Sequence, residues 1–227
     1  MTILKRALDY HGMAAWEAAD TITAHVGVRG LAFRMPGRAP LDMIGVASTS
    51  RSDPRTVIHG FGGRGRVGTF TPGRVWIEED GATVAERSDP RAHFGLRTQV
   101  RWDPLDVLYF CGYALWGYLN QPFMLAWPGV EVREVGERRL EATFPDDMPV
   151  HSRRQVFVFE EDGRLARLEY TADVFGPWAR CVHFCFDDED FGGLRYPTRR
   201  RVVPRAAGRA LPGPTIVGIR MDGIAAN

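Results

Sequence analysis

Residues 102–128 read WDPLDVLYFCGYALWGYLNQPFMLAWP, the most apolar and most aromatic run in the chain. Asp103 is a good helix cap, and Pro104 fits the first helical position, where a missing N–H costs nothing. From Leu105 to Leu119 almost every residue is apolar, on all sides of a helix. Such a helix has no face for solvent, so it must be buried in protein or lipid. Tyr109, Tyr113 and Trp116 form one stripe at helical spacing, with Asn120 a turn further on. Gly112, Ala114 and Gly117 leave thin positions where a neighbour can approach closely. The stripe has two open readings, an ordinary core or the wall of a cavity for an apolar ligand. Asp106, Asn120 and Gln121 inside the run argue against a membrane span.

The rest of the chain is organised around this plug. Its 227 residues are enough for a sizeable core, and 44% hydrophobic with 25% charged residues is the composition of a soluble globular protein. A formal net charge of +1 suggests neither nucleic acid nor an anionic membrane as a bulk partner. Three cysteines, Cys111, Cys181 and Cys185, make no disulfide framework. The N-terminus lacks the apolar run and cleavage site of a secretory signal, so a cytoplasmic location is expected.

Residues 3–26 read as an amphipathic helix with Leu4, Leu8, Ala15, Ala18, Ala19 and Ile22 on one stripe, broken by Gly12. His11, near the break, reads as a surface or capping histidine. Short alternating runs follow at 28–35, 41–49, 55–61, 68–80 and 82–89, split by Gly, Pro and Asp, with a hairpin turn at Glu79-Asp80-Gly81. Residues 90–100 lead into the plug as loop or short helix. Strands resume at 130–135 and 138–144, turning at Gly136-Glu137, then at 151–174, 180–186, 194–203 and 215–224. No linker splits the chain, so a single domain over 1–227 is expected. Its class is α+β: a curved, mostly antiparallel sheet wrapping a buried apolar helix, with an N-terminal amphipathic helix.

The hairpin at 151–174 has a register that can be derived. With Asp162-Gly163 as a two-residue loop, Phe159 opposes Ala166, Phe157 opposes Leu168, Gln155 opposes Tyr170, Arg153 opposes Ala172 and His151 opposes Val174. One face is apolar near the turn and polar at the far end, where His151, Arg153, Gln155 and Tyr170 converge. Burying Arg or His without partners is expensive, so that end is either an open rim or a site.

Other motifs are weaker. Gly60-Phe-Gly62-Gly-Arg-Gly65 matches a phosphate fingerprint formally, but a strand rather than a helix follows it, so it reads as a hairpin loop. Cys181, His183 and Cys185 share a strand face but span about 13 Å, too far for three ligands of one zinc. Neither a metal nor another cofactor is expected. Asp187-Asp188-Glu189-Asp190 reads as a solvated turn, with binding of a hydrated cation as a second reading. In the strand around Arg199-Arg200-Arg201, Arg200 joins Leu194, Tyr196, Thr198 and Val202 on the inner side, where it could hold a carboxylate. No interleaved basic and aromatic platform for single-stranded nucleic acid is evident.

The opening HGMAAWEAADTITAHVGVRG, with FEEDGRLARLEY and the later FGGLRYPTRRRV, resembles the bacterial outer-membrane lipoprotein carrier and sorting proteins (LolA-like). The resemblance implies a curved antiparallel half-barrel with helices over a hydrophobic cavity. The chain departs from that family in lacking an export signal and in its long aromatic central helix. Three functions follow as expectations. One is binding of a hydrophobic small molecule or lipid, with Tyr109, Tyr113, Trp116, Asn120, Gln155 and Phe157 lining the cavity. A second is a cyclase, isomerase or hydrolase acting there, with His151 as acid or base, Tyr170 as proton donor and Arg153 or Arg200 as anion anchor. The third is a structural or interaction domain. Neither a nucleic-acid partner nor a transmembrane segment is expected, and the oligomeric state is not read from the sequence.

Overall fold

The structure, a computed structural model, describes residues 1–33, 43–95 and 101–227. Two short helices, α1 (Ile3–His11) and α2 (Met13–Glu17), open the chain. Six strands follow: β1 (Thr21–Arg29), β2 (Met43–Ser50), β3 (Thr56–His59), β4 (Arg66–Thr71), β5 (Arg74–Glu79) and β6 (Ala82–Ser88). After helix α3 (Pro104–Asn120) come β7 (Glu131–Gly136), β8 (Arg139–Thr143), β9 (Arg154–Phe159), β10 (Leu165–Thr171), β11 (Arg180–Phe191), β12 (Leu194–Ala206), β13 (Arg209–Ala210) and β14 (Val217–Ala226).

The strands form one curved, unclosed antiparallel sheet, ordered 6-5-4-3-2-1-14-12-11-10-9-8-7, with β13 on β12 alone. It consists of two meanders joined through β14, which pairs with β1 on one side and β12 on the other. This order explains why α3 has no polar face. The chain leaves the sheet at edge strand β6 and must re-enter at the opposite edge, β7. Its route lies through the concave side, and a helix of 17 residues covers about 26 Å of it. Every residue from Asp106 to Asn120 is buried. The helix starts as its sequence predicts, with Asp103 and Asp106 making a reciprocal capping box and Pro104 in the first turn. Arg87 of β6 clamps that box, 2.6 Å from Asp103 and 2.7 Å from Asp106. No described helix is long and apolar enough to cross a membrane.

The helix is held against both halves of the sheet. Thr56 Oγ1 donates to Gly112 O at 2.8 Å, and a Cβ on Gly112 would lie 2.3 Å from Phe70 Cβ. At the C-terminal end, where carbonyls lack helical partners, Tyr196 Oη donates to Leu119 O at 2.7 Å and Arg200 Nη2 to Tyr118 O at 3.2 Å.

Three expectations are corrected. The N-terminal helix does not run to residue 26. It breaks at Gly12, whose φ of 90° is a left-handed cap, and from Thr21 the chain is a strand with Ile22, Ala24, Val26 and Val28 buried in alternation. That period of two pairs β1 with β2 and β14, which the helix cannot match. His11 is fully buried rather than superficial. The acidic run 187–190 is not a turn but the distal part of β11, paired with β12 through Asp188–Pro197, Glu189–Tyr196 and Asp190–Arg195. The strand ends expected between residues 34 and 42, and part of the 90–100 connection, lie outside the described residues.

The 151–174 hairpin keeps its predicted faces by a different route. Its loop has three residues, Glu161-Asp162-Gly163, with Gly163 at φ 102° and Glu160 N–H bonded to Arg164 O at 2.8 Å. Phe159 therefore opposes Leu165, and a bulge at Ala166 restores the register, so that Phe157 opposes Leu168 and Val156 opposes Glu169. Phe157 is buried and Val156 is half-buried.

Candidate functional site

The inner positions of β9–β12 alternate inward as the pleat requires, and they carry polar groups into the core. Gln155, Tyr170, His183 and Arg200 are all buried. The segment between β8 and β9 adds His151, and α3 adds Tyr113 and Tyr118. These groups meet. Tyr113 Oη lies 3.2 Å from His151 Nδ1 and Tyr118 Oη 3.0 Å from His151 Nε2, so both ring nitrogens are occupied. The Tyr170 ring stacks on His151 with centroids 4.4 Å apart and planes 4° from parallel. Tyr170 Oη reaches His183 Nδ1 at 3.3 Å.

Burial dominates the electrostatics. It pushes His151 down to about 3, with Arg200 adding to the effect. It holds His183 well below its ordinary value, again helped by Arg200. It raises Tyr113 and Tyr170 well above theirs. At neutral pH both imidazoles are uncharged and the phenols are protonated. Arg200 is set among neutral acceptors: Gln121 Oε1 at 2.9 Å, Tyr118 O, and the Tyr118 ring 4.8 Å from its Cζ. Three buried polar atoms of the cluster, Gln155 Oε1, His183 Nε2 and Arg200 Nε, have no hydrogen-bond partner among the described residues.

A small cavity adjoins the cluster. It is lined on α3 by Tyr113, Ala114, Gly117 and Tyr118, and closed by Pro149, Val150 and His151. Its volume of about 10 Å³ admits about one water. A Cβ on Gly117 would meet nothing within 4 Å.

The predicted site residues are therefore divided. His151, Gln155, Tyr113, Tyr170 and Arg200 are together. Arg153 stands outside, exposed and paired with Asp146 at 2.7 Å. Tyr109 packs on Phe70 and Phe94. Trp116 donates to Ser50 O at 3.1 Å, and Asn120 accepts from Trp16 Nε1 at 3.1 Å. Phe157 packs on Phe144. The cavity thus faces the thin side of the helix, turned away from most of the aromatic stripe. Sequence reasoning missed Tyr118, Gln121 and the inward role of His183. Tyr118 follows Tyr113 by five residues, off the stripe that was read. His93, Asp103 and Asp106 bring three ligand atoms within 4.8 Å at the start of α3, where the Arg87 guanidinium already contacts both carboxylates.

An open curved sheet with a helix in its trough is a fold that recurs in solved structures, and the likeness is one of fold. The chain is similar to a LolA superfamily protein from Nitrosomonas europaea, with a TM-score of 0.54 and 13% identity over 99% of this chain and 92% of that one. It is also similar to a DUF1329 family protein from Desulfovibrio piger, with a TM-score of 0.56 and 12% identity over the same shares of the two chains. No family model matches the chain, and no curated protein matches its sequence.

Proposed function

We propose that this protein binds a hydrophobic small molecule or lipid on the concave side of the sheet, with the ligand's polar end at the His151–Arg200 cluster. The observation that carries this reading is the open space beside Gly117 and Ala114 on a helix packed tightly elsewhere, bordered by the unpartnered Gln155 Oε1. The space is too small for a ligand, so binding requires the Pro149–Val150 segment and α3 to move apart. An apolar chain then covers what they expose, and Gln155, His183 and Arg200 gain the partners they lack. The LolA-like fold is consistent with this use.

The arrangement favours binding over acid–base turnover. His151 has no free nitrogen, Tyr170 lies in contact with it, and a base pushed down to about 3 is mismatched to neutral pH. Mass spectrometry of organic extracts from the purified protein tests the proposal. A recovered apolar compound that rebinds to the wild type, but not to Gly117→Leu, supports it. Failure of any extracted or added apolar compound to bind would overturn it.

A further inference from the structure

We infer that the convex face of the sheet is a docking surface for an anionic phospholipid bilayer. The outward positions form rows across neighbouring strands. One row runs Arg167 (β10), Phe184 (β11), Arg201 (β12), Gly218 (β14) and Arg29 (β1). The next runs Phe186 (β11), Arg199 (β12), Arg220 (β14) and Gly27 (β1). Four spacings between five strands make this band about 19 Å wide.

The charge on this face is not balanced. Asp187 holds Arg199 at 2.7 Å. Glu169 alone serves Arg139, Arg167 and Arg205. Arg201 has only neutral acceptors, Gly213 O and Thr215 Oγ1. Arg29 and Arg220 make no side-chain hydrogen bond or ion pair among the described residues. Asp222, beside His25, adds a third carboxylate to this face, and against Arg29, Arg139, Arg167, Arg199, Arg201, Arg205 and Arg220 the three leave an excess of positive charge in a chain whose formal net charge is only +1. Arg199 lies directly opposite Arg220, a like-charge pairing that destabilises a sheet; the Asp187 carboxylate, paired with Arg199 and acting on Arg220 as well, supplies one negative charge for the two. Gly218 and Gly27 raise no side chain over the rows.

The phenylalanines support the arginines. Arg199 Cζ lies 4.6 Å from the Phe186 ring centre, and Phe184 and Phe186 stack at 6.0 Å. The Arg199 guanidinium stands on that aromatic base and is held there by Asp187, while Arg29 and Arg220 beside it keep their forks for the bidentate contacts that suit phosphate. This covering of the Phe186 face disfavours single-stranded nucleic acid, whose bases need open rings to stack on. A curved basic face rolling onto a plane of phosphate head groups has no such need. The surface is read from its own charges and stands whether or not the concave side carries a cargo.

The test is sedimentation of the protein with vesicles of mixed phosphatidylglycerol and phosphatidylcholine, and with pure phosphatidylcholine. Binding to the mixed vesicles at low salt, lost at high salt, is expected. Arg29→Gln with Arg220→Gln lowers the partition coefficient about tenfold or more, with an unchanged circular dichroism spectrum because neither side chain makes a hydrogen bond or ion pair among the described residues. Arg64→Gln, on the β3–β4 loop, leaves binding unchanged. No binding to the mixed vesicles, equal binding to neutral ones, an equal effect of the Arg64 change, or tighter binding of single-stranded oligonucleotide than of vesicles would each overturn the inference.

Discussion

His11 accepts the backbone N–H of Leu165 at Nε2, over 3.2 Å, and this contact sets its tautomer. An amide can only donate, so Nε2 carries no proton, and Nδ1–H donates to Arg195 O at 2.6 Å. One ring thereby ties the end of α1 to β10 and β12. The ring is also uncharged, since burial holds it down to about 4.

Stability should fall with acid earlier than carboxylates alone would cause. Unfolded histidine titrates near 6.5, whereas His11 and His151 are pushed down to about 4 and about 3, and His183 well below its ordinary value. Below about pH 6.5 the unfolded chain takes up protons that the folded chain refuses. Stability is therefore lost as pH falls toward 4, by about 2 kcal/mol for His11 at about pH 5. Asp188 acts oppositely. Burial raises it to about 6 against Arg164 and Arg200, and both its oxygens lack hydrogen-bond partners among the described residues, so folding favours its protonated form below about pH 6. Thermal melts at about pH 7 and pH 5 should show a lower melting temperature at pH 5. Asp188→Asn should raise the melting temperature at pH 7 and steepen the drop. A flat profile would contradict the neutral histidines.

Trp116→Ala should cost about 3–5 kcal/mol in urea unfolding. The side chain is fully buried and donates to Ser50 O, and its loss leaves a void and removes the shorter of the two side-chain hydrogen bonds to that carbonyl. A loss below about 1 kcal/mol would mean that this part of α3 is not packed core.

Two helical glycines should respond oppositely to alanine. At Gly117 the new methyl meets open space, so helix propensity dominates and stability rises by up to about 1 kcal/mol. At Gly112 it would sit 2.3 Å from Phe70 Cβ, and overpacking should cost about 1–3 kcal/mol. Equal effects in calorimetry would refute the asymmetric packing of α3.

Arg153→Ala should change stability by no more than about 0.5 kcal/mol and leave ligand binding intact. Its pair with Asp146 is exposed, at 61% and 80% of the two side chains. A loss of binding in titration calorimetry would return Arg153 to the site.

The plug was legible because Leu105–Leu119 admits no solvent face in any orientation. The hairpin faces were legible because Phe157 and Leu168 satisfy a period of two that the extra residue at Ala166 leaves intact. Strand β1 was hidden because Ala18, Ala19 and Ile22 fit a helical stripe as well as a pleat, and only pairing with distant β14 decides between them. The His151 cluster was half legible, since Gln155 and Tyr170 follow from the hairpin while Tyr118 arrives from another element. The arginine rows were invisible because each member comes from a different strand, and no local spacing records which strands become neighbours.

The position of β14 has a consequence for how the molecule is made. Each meander is built from local hairpins and can form as its residues emerge during synthesis. Val217–Ala226 pairs with both β1 and β12, and Asn227 O accepts the N–H groups of Asp20 and Thr21. Until that strand is released, the nascent chain holds two curved sheets with facing, unsatisfied edges, the kind of template that recruits other chains. The interval of risk therefore lies between completion of β12 and the pairing of β14 with it and with β1.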